Sequence, residues 1–114
     1  MEKIVEQALL YDFYGELLND HQKQIYEDAI FNDLSFSEIA DEYGISRQGV
    51  FDLIKRVNKT LLNYESKLHL IEKFQETKNK VARIDSLADS YLKNNDKSLI
   101  MDIKTISKEI LDEF

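Results

Sequence analysis

Residues 36–56, FSEIADEYGISRQGVFDLIKR, hold side chains suited to gripping an anionic, base-bearing polymer. Arg47 carries a planar fork of donors that matches two acceptors on a guanine edge, and the Gln48 amide matches the donor–acceptor pair of adenine. Lys55 and Arg56, with Lys59 just beyond, supply charge for backbone phosphates. Ser46 opens a helix whose first free N–H groups suit an anion. Phe51 offers a ring to a thymine methyl, an unpaired base or a protein surface, and equally fits a core position. Asp52 repels phosphate unless Arg56, four residues on, neutralises it. The chemistry is recognition. Nothing in the run is arranged to make or break a bond.

The rest of the chain offers no better chemistry. There is no Cys, and the two histidines, His21 and His69, lie far apart without a local partner. No Gly-rich phosphate loop, HExxH motif or nucleophile elbow occurs. Residues 96–102 lack the alternating ligands and the Gly of a calcium loop. The sequence therefore predicts no catalytic residue, no metal and no cofactor, and so no enzyme.

A recognition surface needs elements to hold it, and composition narrows these. Among 114 residues stand three Gly and no Pro, against ordinary usage of about 7% and 5%. Sheets need turn residues far more often than that. With 43% hydrophobic residues available for a core, the prediction is an all-α fold of about six helices. No apolar run is long enough for a membrane span. The opening MEKIVEQALLYDF lacks the basic lead and apolar run of an export signal, so a cytoplasmic protein without membrane insertion is expected.

The net charge of −7 is unevenly spread. Residues 1–45 hold 11 acids and 2 bases (−9), residues 46–83 hold 4 acids and 9 bases (+5), and residues 84–114 hold 7 acids and 4 bases (−3). A basic middle between acidic flanks disfavours indiscriminate polyanion binding, while leaving a local face effective within about 8 Å at physiological salt.

Hydrophobic spacing predicts a helix over 2–18, with Ile4, Val5, Ala8, Leu9 and Tyr11 or Asp12 in the 3-and-4 rhythm of a buried face. A second over 20–32 is capped by Asn19 or Asp20, with Lys23 at the capping-box place, and buries Ile25, Tyr26, Ala29 and Ile30. A third opens at Ser35 or Ser37, with Glu38 completing a capping box from Ser35, and stops at Gly44. Ser46 caps a fourth reaching about Leu62. An unbroken helical run is expected from Tyr64 to Lys93, and a last helix over 97–113 follows Asn94-Asn95-Asp96. This organises the chain into a helix-turn-helix domain, 1–62, and a C-terminal helical extension, 63–114. The narrow apolar blocks of the extension suit either a homodimer seam or packing of the last helix across the same stripe.

Residues 36–56 meet the demands of a helix-turn-helix. Ala40 is small where the two axes cross, Gly44 tolerates a left-handed turn, and Ile39, Ile45, Val50 and Leu53 lock the pair. Gly49 costs about 1 kcal/mol against Ala inside a helix, which implies close approach of a ligand or of the preceding helix there.

These residues resemble the small YlxM-type helix-turn-helix proteins of low-GC Gram-positive bacteria. The resemblance is sharpest at SFSEIADEYGISRQGVFDLIKR, with supporting matches at LLYDFYGELLNDHQKQIYE and LLNYESKLHLIEKF. Such proteins look like the promoter-reading domain of bacterial sigma factors extended by C-terminal helices. Ser46, Arg47, Val50 and Leu53 keep the sigma-like pattern, whereas Gly49 and Phe51 replace the basic or polar readers common in that wider group. Genes of the family typically sit beside that of the signal-recognition-particle GTPase. The resemblance thus implies a regulatory or accessory factor of that pathway, binding RNA (the particle's own RNA included) or DNA. An adaptor docking on the GTPase through acidic helices, and a DNA-binding transcription regulator, are the alternatives it leaves open.

Overall fold

A computed structural model describes residues 3–114. Helices α1 (Lys3–Tyr14), α2 (Asp20–Ile30), α3 (Phe36–Tyr43) and α4 (Arg47–Leu68) belong to one compact unit, which closes at Ile71. Helix α5 (Leu70–Asn94) starts in that unit; the rest of it and α6 (Lys97–Glu113) form a second unit, Glu72–Phe114. No strand occurs among the described residues.

In the first unit α4 is the shared wall, and α1, α2 and α3 all pack on it. Its buried residues Val50, Ile54, Val57 and Leu61 recur at spacings of 4, 3 and 4, so they stack on one side of a 3.6-residue helix. Against this seam lie Leu10 and Tyr14 from α1, Ile25 and Tyr26 from α2, and Ile39 and Ala40 from α3.

The local signals for the ends of α2, α3 and α4 act as written in the sequence. The Ser35 hydroxyl accepts from Glu38 N at 3.1 Å, while the Glu38 carboxylate accepts from Ser35 N at 3.2 Å. Gly44 sits at φ 66°, ψ 34°, a left-handed turn that a side chain bearing Cβ enters only at a cost. At the start of α2 the cap is Asn19, so the box closes with Gln22 rather than Lys23: Gln22 N donates to Asn19 Oδ1 at 2.8 Å, and Asn19 N to Gln22 Oε1 at 3.1 Å.

Three expectations need correction. Ile4 and Val5 are about half exposed, and α1 buries Leu10 and Tyr14 instead. The apolar residues of α1 surround the helix, so periodicity alone does not choose the face. A 3₁₀ turn at Gly15–Leu17 also ends α1 earlier than 18. Finally, the unbroken run from Tyr64 does not exist. Helix α4 continues to Leu68, then His69 turns left-handed at φ 57°.

Tyr14, 51 residues before Glu65, ties the two sides of that break together. The buried Tyr14 hydroxyl donates to the Glu65 carboxylate and accepts from Leu70 N at 3.2 Å; the same carboxylate accepts from Ile71 N at 3.0 Å. Two orphan N–H groups of α5 are thereby satisfied at a distance.

In the second unit, Lys80 lies 3.3 Å from Glu113 and 3.9 Å from Glu109, so α5 and α6 run antiparallel. Asp96 caps α6, accepting from Ser98 N at 3.0 Å. Among its described residues only Ile106 is fully buried, while Leu92, Met101, Leu111 and Phe114 stand open.

Candidate nucleic-acid interface

The α3–turn–α4 pair positions every residue singled out for binding. Ala40 is buried where α3 meets α4, and the Gly44 turn directs the chain into α4. The Ser46 hydroxyl accepts from Gly49 N at 2.9 Å. Ser46 is thus committed to the cap, and the N–H groups of Arg47 and Gln48 remain at the open helix end. A Cβ on residue 49 would stand 3.2 Å from Ser46 Oγ. Gly49 therefore makes room for the capping hydroxyl and not for the preceding helix.

Ser46, Arg47, Gln48, Phe51, Lys55, Arg56 and Lys59 are all exposed. Arg47, Phe51, Lys55 and Lys59 follow one another at i+4, each about 6 Å further along the axis. Gln48 and Arg56 flank this row. Among the described residues no carboxylate comes within salt-bridge distance of Arg47, Lys55, Arg56 or Lys59. Their charge is unspent.

The partner of Asp52 is a correction. Gln48 Nε2 donates to Asp52 Oδ1 at 3.0 Å, and Arg56 does not pair with it. Helical side chains lean toward the N-terminus, which brings the short Asp52 carboxylate over the Gln48 turn. Gln48 keeps its carbonyl oxygen free to accept, but must release Asp52 to read adenine with both groups.

Phe51 is 47% exposed, so it belongs to the surface and not to the core. Its ring lies 6.3 Å from Phe36 at 61°. Asn58, not among the predicted binding residues, also borders this surface: the Tyr26 hydroxyl donates to Asn58 Oδ1 at 2.5 Å. Its sequence signal is faint, a lone amide in the middle of a helix. Burial raises the Tyr26 hydroxyl to about 12, keeping it a proton donor.

No cluster of potential metal ligands occurs among the described residues. No helix among them is long and apolar enough to cross a membrane.

Comparison with known proteins agrees with this geometry. Residues 1–106 match the profile of the family UPF0122, described as "Putative helix-turn-helix protein, YlxM / p13 like". The chain is 41% identical over 104 residues to a UPF0122 protein of a Thermoanaerobacter species, covering 90% of this chain and 89% of that one. It is 49% identical over 77 residues to one of Caldanaerobacter subterraneus, covering 68% and 66%. A Bacillus velezensis relative is 43% identical over 88 residues, covering 77% and 80%. With nearly the whole chain matched and the helix-turn-helix geometry in place, this protein belongs to the UPF0122 family of YlxM / p13-like proteins.

Proposed function

We propose that the protein is a non-enzymatic regulatory or accessory factor that binds nucleic acid through the exposed face of α4. The observation that carries this reading is the row of unpaired cations, Arg47, Lys55 and Lys59 with Arg56 beside it, on the second helix of a helix-turn-helix. The acidic first 45 residues argue for a selective ligand over general polyanion binding. The family resemblance supplies the pathway, that of the signal recognition particle, and its RNA is the first ligand to test. Duplex DNA, as for a transcription regulator, is the next.

A second reading rests on the −9 balance of residues 1–45. Exposed Asp20, Glu27, Glu38, Asp41 and Glu42 on α2 and α3 suit a basic protein surface, and the particle GTPase is the partner the resemblance suggests.

One titration separates them: particle RNA, mixed duplex DNA and the GTPase, each at two salt concentrations, with wild type and Arg47→Ala. Salt-dependent binding of a nucleic acid, weakened by about 1–3 kcal/mol in Arg47→Ala, is the expected result. Binding of the GTPase alone, indifferent to Arg47, would replace it with the adaptor reading.

The second unit supports a homodimer in this proposal. A helix pair with one fully buried side chain, Ile106, and an exposed Leu92, Met101 and Leu111 has apolar area left for a partner. Light scattering should give twice the 13.4 kDa of one chain. A single-chain mass at all concentrations would remove the dimer.

A further inference from the structure

Beside the exposed face of α4 lies a groove of about 550 Å³, bounded by α1, α2, α3 and α4 of the first unit. Its floor is apolar, with Ile30, Phe36, Phe51 and Ile54. We propose that this groove accepts an unpaired nucleobase stacked on Phe51, so that the ligand is a strand with an extruded base and not a uniform duplex. The inference rests on the nucleic-acid reading above and names the ligand class for the same face.

Side chains alternate in charge and ring along α4. Arg47, Phe51 and Lys55 place a ring between two cations, each about 6 Å from the next along the axis. A nucleotide turned toward a protein presents a base between two phosphates, and this order complements it. Lys3 adds a third cation on the α1 wall of the groove.

The Phe51 ring is about half exposed. Inside a duplex the base faces are covered by stacking, and only groove edges and backbone meet a protein. Phe51 would there find no face to stack on. Unpaired bases of loops and bulges offer such a face, and aromatic side chains take them up. Phe36, at 61° to Phe51, closes one side of the groove edge-on.

Asn58 lines the same groove. Its Oδ1 is occupied by the Tyr26 hydroxyl, which fixes the amide and leaves Nδ2 to donate. Gln7 brings a second amide to the same groove. Every nucleobase carries ring or carbonyl acceptors for such donors, whereas an apolar peptide has none on its side chains. Amides over an apolar floor with a cationic rim favour a base over a hydrophobic helix.

The test uses the full chain and three versions of one short, blunt-ended RNA duplex of two strands: fully paired, with one unpaired adenine, and with an abasic site at that position. The unpaired adenine should bind about tenfold or more tighter than the other two, the scale of one base–aromatic stack. Phe51→Leu, which keeps apolar bulk without a π-face, should erase that preference at an unchanged melting temperature, and Phe51→Tyr should retain it. Asn58→Asp keeps an acceptor for Tyr26 and should lose the preference as well. In spectra of the complex, the Phe51 ring protons should move upfield under the stacked base. Equal, Arg47-dependent affinity for all three duplexes would overturn the base pocket and leave the nucleic-acid reading standing. Binding to no RNA or DNA at all would remove both. A Phe51-dependent complex with an acidic apolar peptide, in place of RNA, would make the groove a protein-docking site and overturn the proposal.

Discussion

Tyr14→Ala should cost about 3–5 kcal/mol of stability, the range for truncating a fully buried aromatic. Tyr14 is 1% exposed, and its hydroxyl ties together Glu65 near the end of α4 and Leu70 at the start of α5. The conservative variant separates packing from capping. Tyr14→Phe keeps the ring and should lose only about 1–2 kcal/mol, the cost of leaving hydrogen-bonding groups unsatisfied. In Tyr14→Phe the Leu70 amide should exchange faster with solvent, while Ile71, held by the Glu65 carboxylate at 3.0 Å, stays protected. Unchanged Leu70 exchange would mean that the phenol does not cap α5.

Alkaline pH gives the same bond a second readout. Burial, reinforced by the Glu65 carboxylate, raises the Tyr14 phenol above its ordinary value of 10.0. Above that value the unfolded chain sheds a proton that the folded chain keeps. The folded state then binds more protons, and stability falls as pH rises. The phenol's contribution is complete below pH 10.0 and disappears as pH passes the raised folded value. Between pH 10.0 and that raised value, denaturation midpoints for Tyr14→Phe should therefore fall less steeply than those of the wild type.

Replacing Lys55, Arg56 and Lys59 together by Gln should cut the salt dependence of nucleic-acid binding without touching the core. Each phosphate contact contributes ~0.9 to the slope of log K against log salt on duplex DNA and ~0.7 on single strands. Three lost contacts make the slope shallower by roughly 2–3, or about two to three decades of affinity between 1 M and 0.1 M salt. The three side chains are exposed and free of ion pairs, so the melting temperature should hold. Affinity measured across a salt series decides the matter. An unchanged slope would place the phosphate contacts elsewhere and break the link between this face and its ligand.

What could be read from the chain follows a physical boundary. Ser35 with Glu38, Gly44, Ser46 and Asp96 set helix ends through bonds or backbone angles spanning four residues or fewer. Such signals depend on short stretches of chain, and the sequence contains them whole. The near absence of Gly and Pro, the basic stretch and the spacing of Ala40, Gly44, Val50 and Leu53 are of the same kind. They determined the helical class, the helix-turn-helix and the candidate binding residues.

Other features were decided between elements distant in sequence. Which side of α1 is buried depends on what α4 presents to it, so Leu10 and Tyr14 go inside while Ile4 and Val5 stay open. The end of α4 at His69 depends on a phenol and a carboxylate that the fold brings together from positions 14 and 65. Asn58 acquires its orientation from Tyr26, and Phe51 its exposure from the way α3 and α4 cross. Each of these balances the burial of one group against another contributed by a different helix. Local sequence carries only one side of that balance; tertiary packing supplies the other.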